Sequence, residues 1–129
     1  MMSTKYVVDA SVWIEYLDGA ERGKAFVPFL EHELFTTALC VAEVVSKVTR
    51  MGKEAAVAQE AIRALSDIIP LDFALATNGG LLHGAIKPKK PKLSLSDAIT
   101  VIAARHLHAT TLTFDYDFLG FENVRLLKR

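Results

Sequence analysis

A layered α/β sandwich, with a mostly parallel sheet flanked by helices, is the fold class that this chain of 129 residues predicts. Strand-type and helix-type segments alternate along it. The runs Tyr6-Val7-Val8 and Thr110 to Phe114 are apolar or β-branched, as strands covered on both faces are. The segment Ala98 to His108 is apolar on nearly all sides, as a central packed helix is. Hydrophobic residues make up 51% of the chain and charged residues 23%, enough apolar mass to bury a core and to exclude global disorder. The length suits one domain, residues 1–129, with three layers and right-handed crossovers.

The elements follow in order. Tyr6–Val8 forms a strand that ends at Asp9, and Asp9 or Ser11 can cap a helix over Val12 to Leu17, stopped by Asp18-Gly19. Ala25 to Glu33 reads as a second helix and Leu34 to Thr37 as a strand. Leu39 to Met51 is a helix closed by Gly52, with Val41, Val44, Val45, Val48 and Met51 at helical spacing on its core face. Glu54 to Leu65 is another helix, before a brief Ile68-Ile69 strand. Phe73 to Ile86 is helical with an interruption at Asn78-Gly79-Gly80, and Lys87 to Lys92 is a loop. Ser94-Leu95-Ser96-Asp97 opens the clearest helix, Thr110 to Phe114 is a strand ending at Asp115, and Val124 to Leu127 is the last strand. Trp13, Phe26, Phe29 and Phe35 are expected to pack.

Composition narrows the function. Fifteen Lys+Arg balance fifteen Asp+Glu, so the chain as a whole is neither a basic nucleic-acid coat nor an acidic tail. Cys40 is the only cysteine, which rules out an intrachain disulfide and a cysteine-based zinc site and suits a reducing, cytoplasmic setting. The polar Met1–Lys5 start does not read as a signal peptide, and no apolar run reaches the roughly 18 residues of a membrane span.

Open parallel sheets bind ligands at the carboxyl ends of their strands. Asp9 and Asp115 end two strands, and Asp97 opens the helix leading into the second of them, so all three fall at one sheet edge if those strands are neighbours. Three carboxylates in one cleft repel one another, and a divalent cation relieves that repulsion. Oxygen ligands without Cys or His favour Mg2+ or Mn2+, which suits chemistry on phosphate esters.

Each acid also has a plainer reading. Asp9 can be only a helix cap, Asp97 the third residue of a capping box from Ser94, and Asp115-Tyr116-Asp117 a strand-ending turn. Glu43 shares a helix face with Lys47 and Arg50, which predicts a surface salt pair. It is the joint placement of the acids that argues for a site.

In these residues the chain resembles the PIN-domain ribonucleases, and among them the VapC-type toxins of toxin–antitoxin pairs. The likeness runs through Val7-Val8-Asp9-Ala10-Ser11-Val12-Trp13, Cys40-Val41-Ala42-Glu43-Val44-Val45, Leu95-Ser96-Asp97-Ala98-Ile99 and Leu112-Thr113-Phe114-Asp115-Tyr116-Asp117-Phe118, in that order. It implies a metal-dependent endoribonuclease in which Asp9, Asp97 and Asp115 hold Mg2+ or Mn2+ directly or through water. Glu43 is then a second-metal ligand or a water-orienting base, and Ser11 and Thr113 are supporting hydroxyls beside the first and last acids. Asp117 is an extra ligand or a turn residue. Water attack leaves a 3′-hydroxyl and a 5′-phosphate. The alternatives are a PIN-like module that binds RNA or protein without cleaving, and a phosphoryl-accepting flavodoxin-like domain. The latter needs a lysine near the last strands, where only Lys128 stands, badly placed.

The resemblance also implies a VapB-like antitoxin that reaches the acidic cleft with a basic side chain. Zero net charge and the apolar excess predict a homodimer. Lys87, Lys89, Lys90 and Lys92 form the one strongly unbalanced stretch, since no acid occurs from Phe73 to Ser96. Pro88 and Pro91 keep that loop extended, and it is a candidate RNA-binding rim. Gly19 to Lys24 loosely matches a phosphate loop but is one residue short and lacks the final hydroxyl. His106 and His108 read as helix-end surface residues.

Overall fold

The computed structural model describes residues 4–19 and 21–128. The beginning of the Met1–Lys5 segment, Ala20 of the Gly19–Lys24 stretch, and Arg129 lie outside the described residues.

Five strands form one sheet: β1 (Lys5–Val8), β2 (Glu33–Thr37), β3 (Asp67–Ile69), β4 (Thr110–Thr113) and β5 (Val124–Leu126). Their order is β3-β2-β1-β4-β5, and every pairing is parallel. The register sets Val8 of β1 beside Leu112 of β4, so the chain leaves both strands at the same edge.

Side chains of a strand alternate between faces, and β1 shows the consequence. Tyr6 and Val8 pack into the larger core with Trp13, Phe26, Val44 and Ile62, while Val7 packs against Ala104 and Ala109. The first face is covered by α1 (Ala10–Leu17), α2 (Ala38–Arg50) and α3 (Ala55–Leu65); the second by α5 (Leu95–Leu107), with α4 (Phe73–Ile86) packed on α5. These are the three layers expected. Trp13 is fully buried, and its indole N–H donates to Thr36 Oγ1 at 3.1 Å, which satisfies the one polar atom it carries inside.

Two elements depart from the sequence reading. The helix expected over Ala25 to Glu33 is a 3-10 segment, Glu21–Glu31, and Glu33 already belongs to β2. Pro28 lies inside that segment, and a proline has no N–H for an α-helical bond and crowds the preceding turn. The break expected at Asn78-Gly79-Gly80 is absent: α4 runs unbroken from Phe73 to Ile86. The glycine serves packing instead. A Cβ at Gly79 would meet Ile99 Cγ1 at 2.4 Å and Ile99 Cα at 3.2 Å, so α4 and α5 approach closely only because Gly79 has none.

On α2, Val44 and Val48 are buried, whereas Val41 and Val45 are half-buried and Met51 is exposed, so the core face is narrower than five residues. Gly52 ends this helix with φ +75°, where a side chain would be strained. Among the described residues no helix is long and apolar enough to cross a membrane.

The two adjacent glycines of α4 should respond oppositely to alanine. Gly79→Ala forces helices apart and should lower stability by about 1–3 kcal/mol. Nothing lies within 4 Å of a Cβ at Gly80. Gly80→Ala should therefore raise stability by up to about 1 kcal/mol through helix propensity alone. Urea unfolding of the two variants checks this, and equal effects would contradict the close α4–α5 packing.

Candidate active site

The site begins with Asp9, where β1 gives way to α1. Its backbone N–H still pairs with the sheet, donating to Leu112 O at 2.9 Å. Its carboxylate is buried and takes all its protein hydrogen bonds on Oδ2: from Ser11 Oγ at 2.6 Å, Thr113 Oγ1 at 3.0 Å and the Ser11 N–H at 3.3 Å. The two hydroxyls are occupied in turn. Ser11 Oγ accepts from the Phe114 N–H at 3.1 Å, and Thr113 Oγ1 accepts from the Asp115 N–H at 2.9 Å. One oxygen thus knots the ends of β1 and β4 to the start of α1.

The other acids are fixed in the same economical way. Asp97 Oδ2 accepts from the Ser94 N–H at 3.0 Å, and the Asp97 N–H donates to Ser94 Oγ at 3.0 Å, a complete capping box at the start of α5. Asp115 Oδ1 accepts from the Asp117 N–H at 2.8 Å and caps the short 3-10 turn Tyr116–Phe118. Glu43 Oε1 accepts from Ser96 Oγ, bridging α2 to α5. Among the described residues Glu43 makes no ion pair with Lys47 or Arg50, so the predicted surface salt pair is not formed. All four acids therefore hold one oxygen in a protein bond and, among the described residues, keep the other free of one.

Electrostatics shows that these carboxylates act on one another. Burial pushes Asp9 up from 3.8 to about 6; the Ser11 and Thr113 bonds oppose this, and the negative charge of Asp97 adds to it. Asp97 is also raised, by burial first, with Ser94 opposing and the charges of Asp115 and Glu43 adding. Cys40, sealed beneath them, is pushed up to about 12 by burial and then by the charge of Asp9, so it is an inert thiol. The acids form one coupled set at the strand ends.

They do not form a closed cage. Among the described residues no three His, Cys, Asp or Glu side chains gather tightly enough to hold an ion between them. The three carboxylates that the sequence places at one sheet edge thus stand in an open arrangement. The donor set still fits a hard cation: it is all oxygen, it repels itself, and each acid offers an unbonded oxygen. Mg2+ in particular usually keeps several waters and takes only one or two carboxylates plus substrate phosphate.

Beside the acids lies an open cleft of about 530 Å³, lined by Ser11, Ile14, Glu15, Arg22, Lys92, Phe114, Asp115, Tyr116 and Asp117. Asp117 contributes its N–H to Asp115 and its carbonyl to Lys90 at 3.1 Å, the turn role of its two readings. Lys90 also donates to Leu119 O at 2.6 Å and lies 5.6 Å from the Phe121 ring centre. It ties its loop to the turn after β4. Lys87 donates to Pro91 O at 2.8 Å, Lys89 is exposed, and Lys92 reaches the cleft. The sequence reading missed Ser96, Arg22 and Tyr116. Ser96 adjoins Asp97 and could have been noticed; Arg22 is brought in by the 3-10 segment, which no local pattern announced.

The PIN domain family model matches residues 6–124, and the chain belongs to the PIN domain family. Solved structures share its fold. A toxin–antitoxin complex from Klebsiella pneumoniae matches with TM-score 0.76 and 20% identity over 93% of this chain and 95% of that one. VapBC2 from Rickettsia felis, bound to a promoter DNA fragment, matches with TM-score 0.76 and 13% identity over 97% and 100%. VapC20 from Mycobacterium tuberculosis, a toxin that cleaves the sarcin-ricin loop, matches with TM-score 0.70 and 20% identity over 93% and 98%. No curated protein sequence matches the chain.

The buried charge sets a pH dependence. Folded Asp9 keeps its proton up to about 6 and the unfolded chain releases it near 3.8, so folding takes up a proton between those values. Metal-free stability is therefore highest below that window and falls as pH rises through it, by an amount on the order of 3 kcal/mol for Asp9. Asp97, raised as well, acts in the same direction. Asp9→Asn should flatten the curve and stabilise the chain near neutral pH. Thermal melts in EDTA across this range check it; a wild-type chain that gains stability with pH would contradict the buried charge.

Proposed function

We propose that the chain is a Mg2+- or Mn2+-dependent endoribonuclease, the toxin of a type II toxin–antitoxin pair. The observation that carries this is the set of four coupled carboxylates, Asp9, Glu43, Asp97 and Asp115, each with one anchored and one unbonded oxygen, at the carboxyl ends of β1 and β4. PIN membership and the toxin–antitoxin neighbours support the reading.

Asp9, Asp97 and Asp115 would hold the ion, and Glu43 would hold a second ion or orient the attacking water. When bound, Mg2+ or Mn2+ supplies a water of lowered pKa and offsets charge on the scissile phosphate. The chain's own part is positional. Ser11 and Thr113 fix the Asp9 carboxylate in one rotamer, Ser94 fixes Asp97, and Ser96 fixes Glu43. If Glu43 orients the water, its second oxygen would accept the proton, with Oε1 held by Ser96. The products are a 3′-hydroxyl and a 5′-phosphate.

The partner is an antitoxin whose basic side chain enters the acidic edge, offsetting the burial and the mutual repulsion that raise Asp9 and Asp97. The chain itself pairs as a homodimer; Phe73, 88% exposed, and Leu81, both on α4, offer the apolar surface for it.

Cleavage of RNA in Mn2+, abolished by EDTA, is the expected result. Asp97→Asn should abolish it while leaving melting temperature unchanged or higher, because the amide oxygen still accepts from the Ser94 N–H and the repulsion is relieved. Wild-type cleavage by that variant would remove Asp97 from the machinery. Light scattering should give about twice 14.2 kDa, and a mass near 14.2 kDa at micromolar concentration would contradict the dimer.

A further inference from the structure

We infer that the cleft beside Asp115 is a subsite for a single-stranded RNA segment flanking the cleavage point, in which Arg22 and Lys92 take a phosphate and Tyr116 stacks a base. This rests on the nuclease reading above and adds Arg22 and Tyr116, which carried no role in the sequence reading, beside Lys92 of the lysine loop.

Arg22 is held in a way that fold stability alone does not explain. Its Nη2 pairs with Glu15 at 3.1 Å, and its guanidinium carbon lies 5.9 Å from the centre of the Phe114 ring. Its Nε is buried with no hydrogen-bond partner, which costs roughly 1–3 kcal/mol. Such an orphan in a cleft wall calls for a functional account. The head is not sealed in: the side chain is 36% exposed and lines the open cleft. Glu15 and Phe114 hold the guanidinium in place before a ligand arrives, and an arginine fork matches phosphate geometry.

The neighbours fit one ligand class. Lys92 adds a second cation on the same cleft, at the end of the lysine loop that runs into Ser94. Tyr116 lines the cleft with 67% of its surface exposed, an aromatic face with nothing packed over most of it. Cations that track a backbone beside an aromatic that stacks a base are the parts of a single-strand binding groove. A second depression, of about 460 Å³, adjoins the cleft at one residue: Ile14 lines both, and Glu43, Lys47 and Arg50 lie in the second. Basic groups therefore flank the acids on both sides, which suits a chain of phosphates rather than a lone nucleotide.

The test uses a fluorescein-labelled single-stranded oligoribonucleotide. Binding is measured by anisotropy in Mg2+ on the Asp97→Asn background, and cleavage of the same oligonucleotide in Mn2+ with Asp97 in place. Arg22→Met and Tyr116→Ala should each weaken binding about tenfold. Arg22→Met should also flatten the log K versus log salt slope by about 0.7, while Arg22→Lys keeps the slope and loses part of the affinity. Melting temperatures separate binding from folding; if Arg22→Met unfolds, the exposed Tyr116→Ala carries the test. Binding and salt slope equal to the parent in both variants would overturn the subsite while cleavage stands. The same holds if the variants lose only a protein partner and bind RNA as before. Binding losses as expected without any cleavage would support the subsite and remove only the nuclease reading. A parent that binds no RNA at about 50 mM salt would overturn the subsite, and failure to cleave would then remove both.

Discussion

The constraint on which the site depends is the burial of Asp9 at the junction of β1, β4 and α1. A carboxylate in that position must be hydrogen-bonded or protonated. Ser11 and Thr113 supply the bonds, and in doing so they join the strand ends that the sheet register has already set side by side. The bonds do not fully offset desolvation, since Asp9 still stands at about 6. The residual cost is useful: a buried, half-satisfied carboxylate gains from any cation that reaches its free oxygen, so binding energy and relief of strain point the same way.

The same logic dissolves an apparent choice. Asp9, Asp97 and Asp115 can each be read from sequence as a cap or as part of a site. In the structure each is a cap, and capping leaves it available for the site role proposed above. A cap uses one carboxylate oxygen to satisfy a backbone N–H, and this fixes the side chain's rotamer without consuming its second oxygen. Helix and turn starts at the carboxyl edge of a parallel sheet thus offer acids whose direction is set by local structure. Glu43 reaches the group differently: it sits within α2 and is turned by Ser96 of the facing helix.

What was legible in the sequence had a local or topological signature. Strands that end in acids, a capping box at Ser94–Asp97 and alternation of elements sufficed to bring Asp9, Asp97 and Asp115 to one edge before any coordinates. What was not legible depends on partners distant in sequence. Pro28 was visible, but that it sits in a long 3-10 segment follows from packing against α1. Lys90 looked like its three neighbours, yet two carbonyls beyond β4 capture it, which no count of charges reveals. Gly79-Gly80 looked like a helix break because glycine is a poor helix former; the close approach of Ile99 gives Gly79 a different reason to be there.

That close approach links the outer layer to the chemistry. Ile99 stands two residues beyond Asp97 on α5, and it is pressed by α4 at Gly79. The other side of α5 packs on the sheet through Ala104 beside Val7. The helix that carries Ser96 and Asp97 is therefore clamped between two layers, and its N-terminus cannot withdraw from Glu43 without opening one of them. Interiors are close-packed and give little. Burial first, and repulsion among the acids in addition, consequently appear as raised proton affinity at Asp9 and Asp97 rather than as separation of the elements that hold them. The layered fold keeps together charges that would otherwise move apart, and the free oxygens of those charges are what a cation and an RNA phosphate would share.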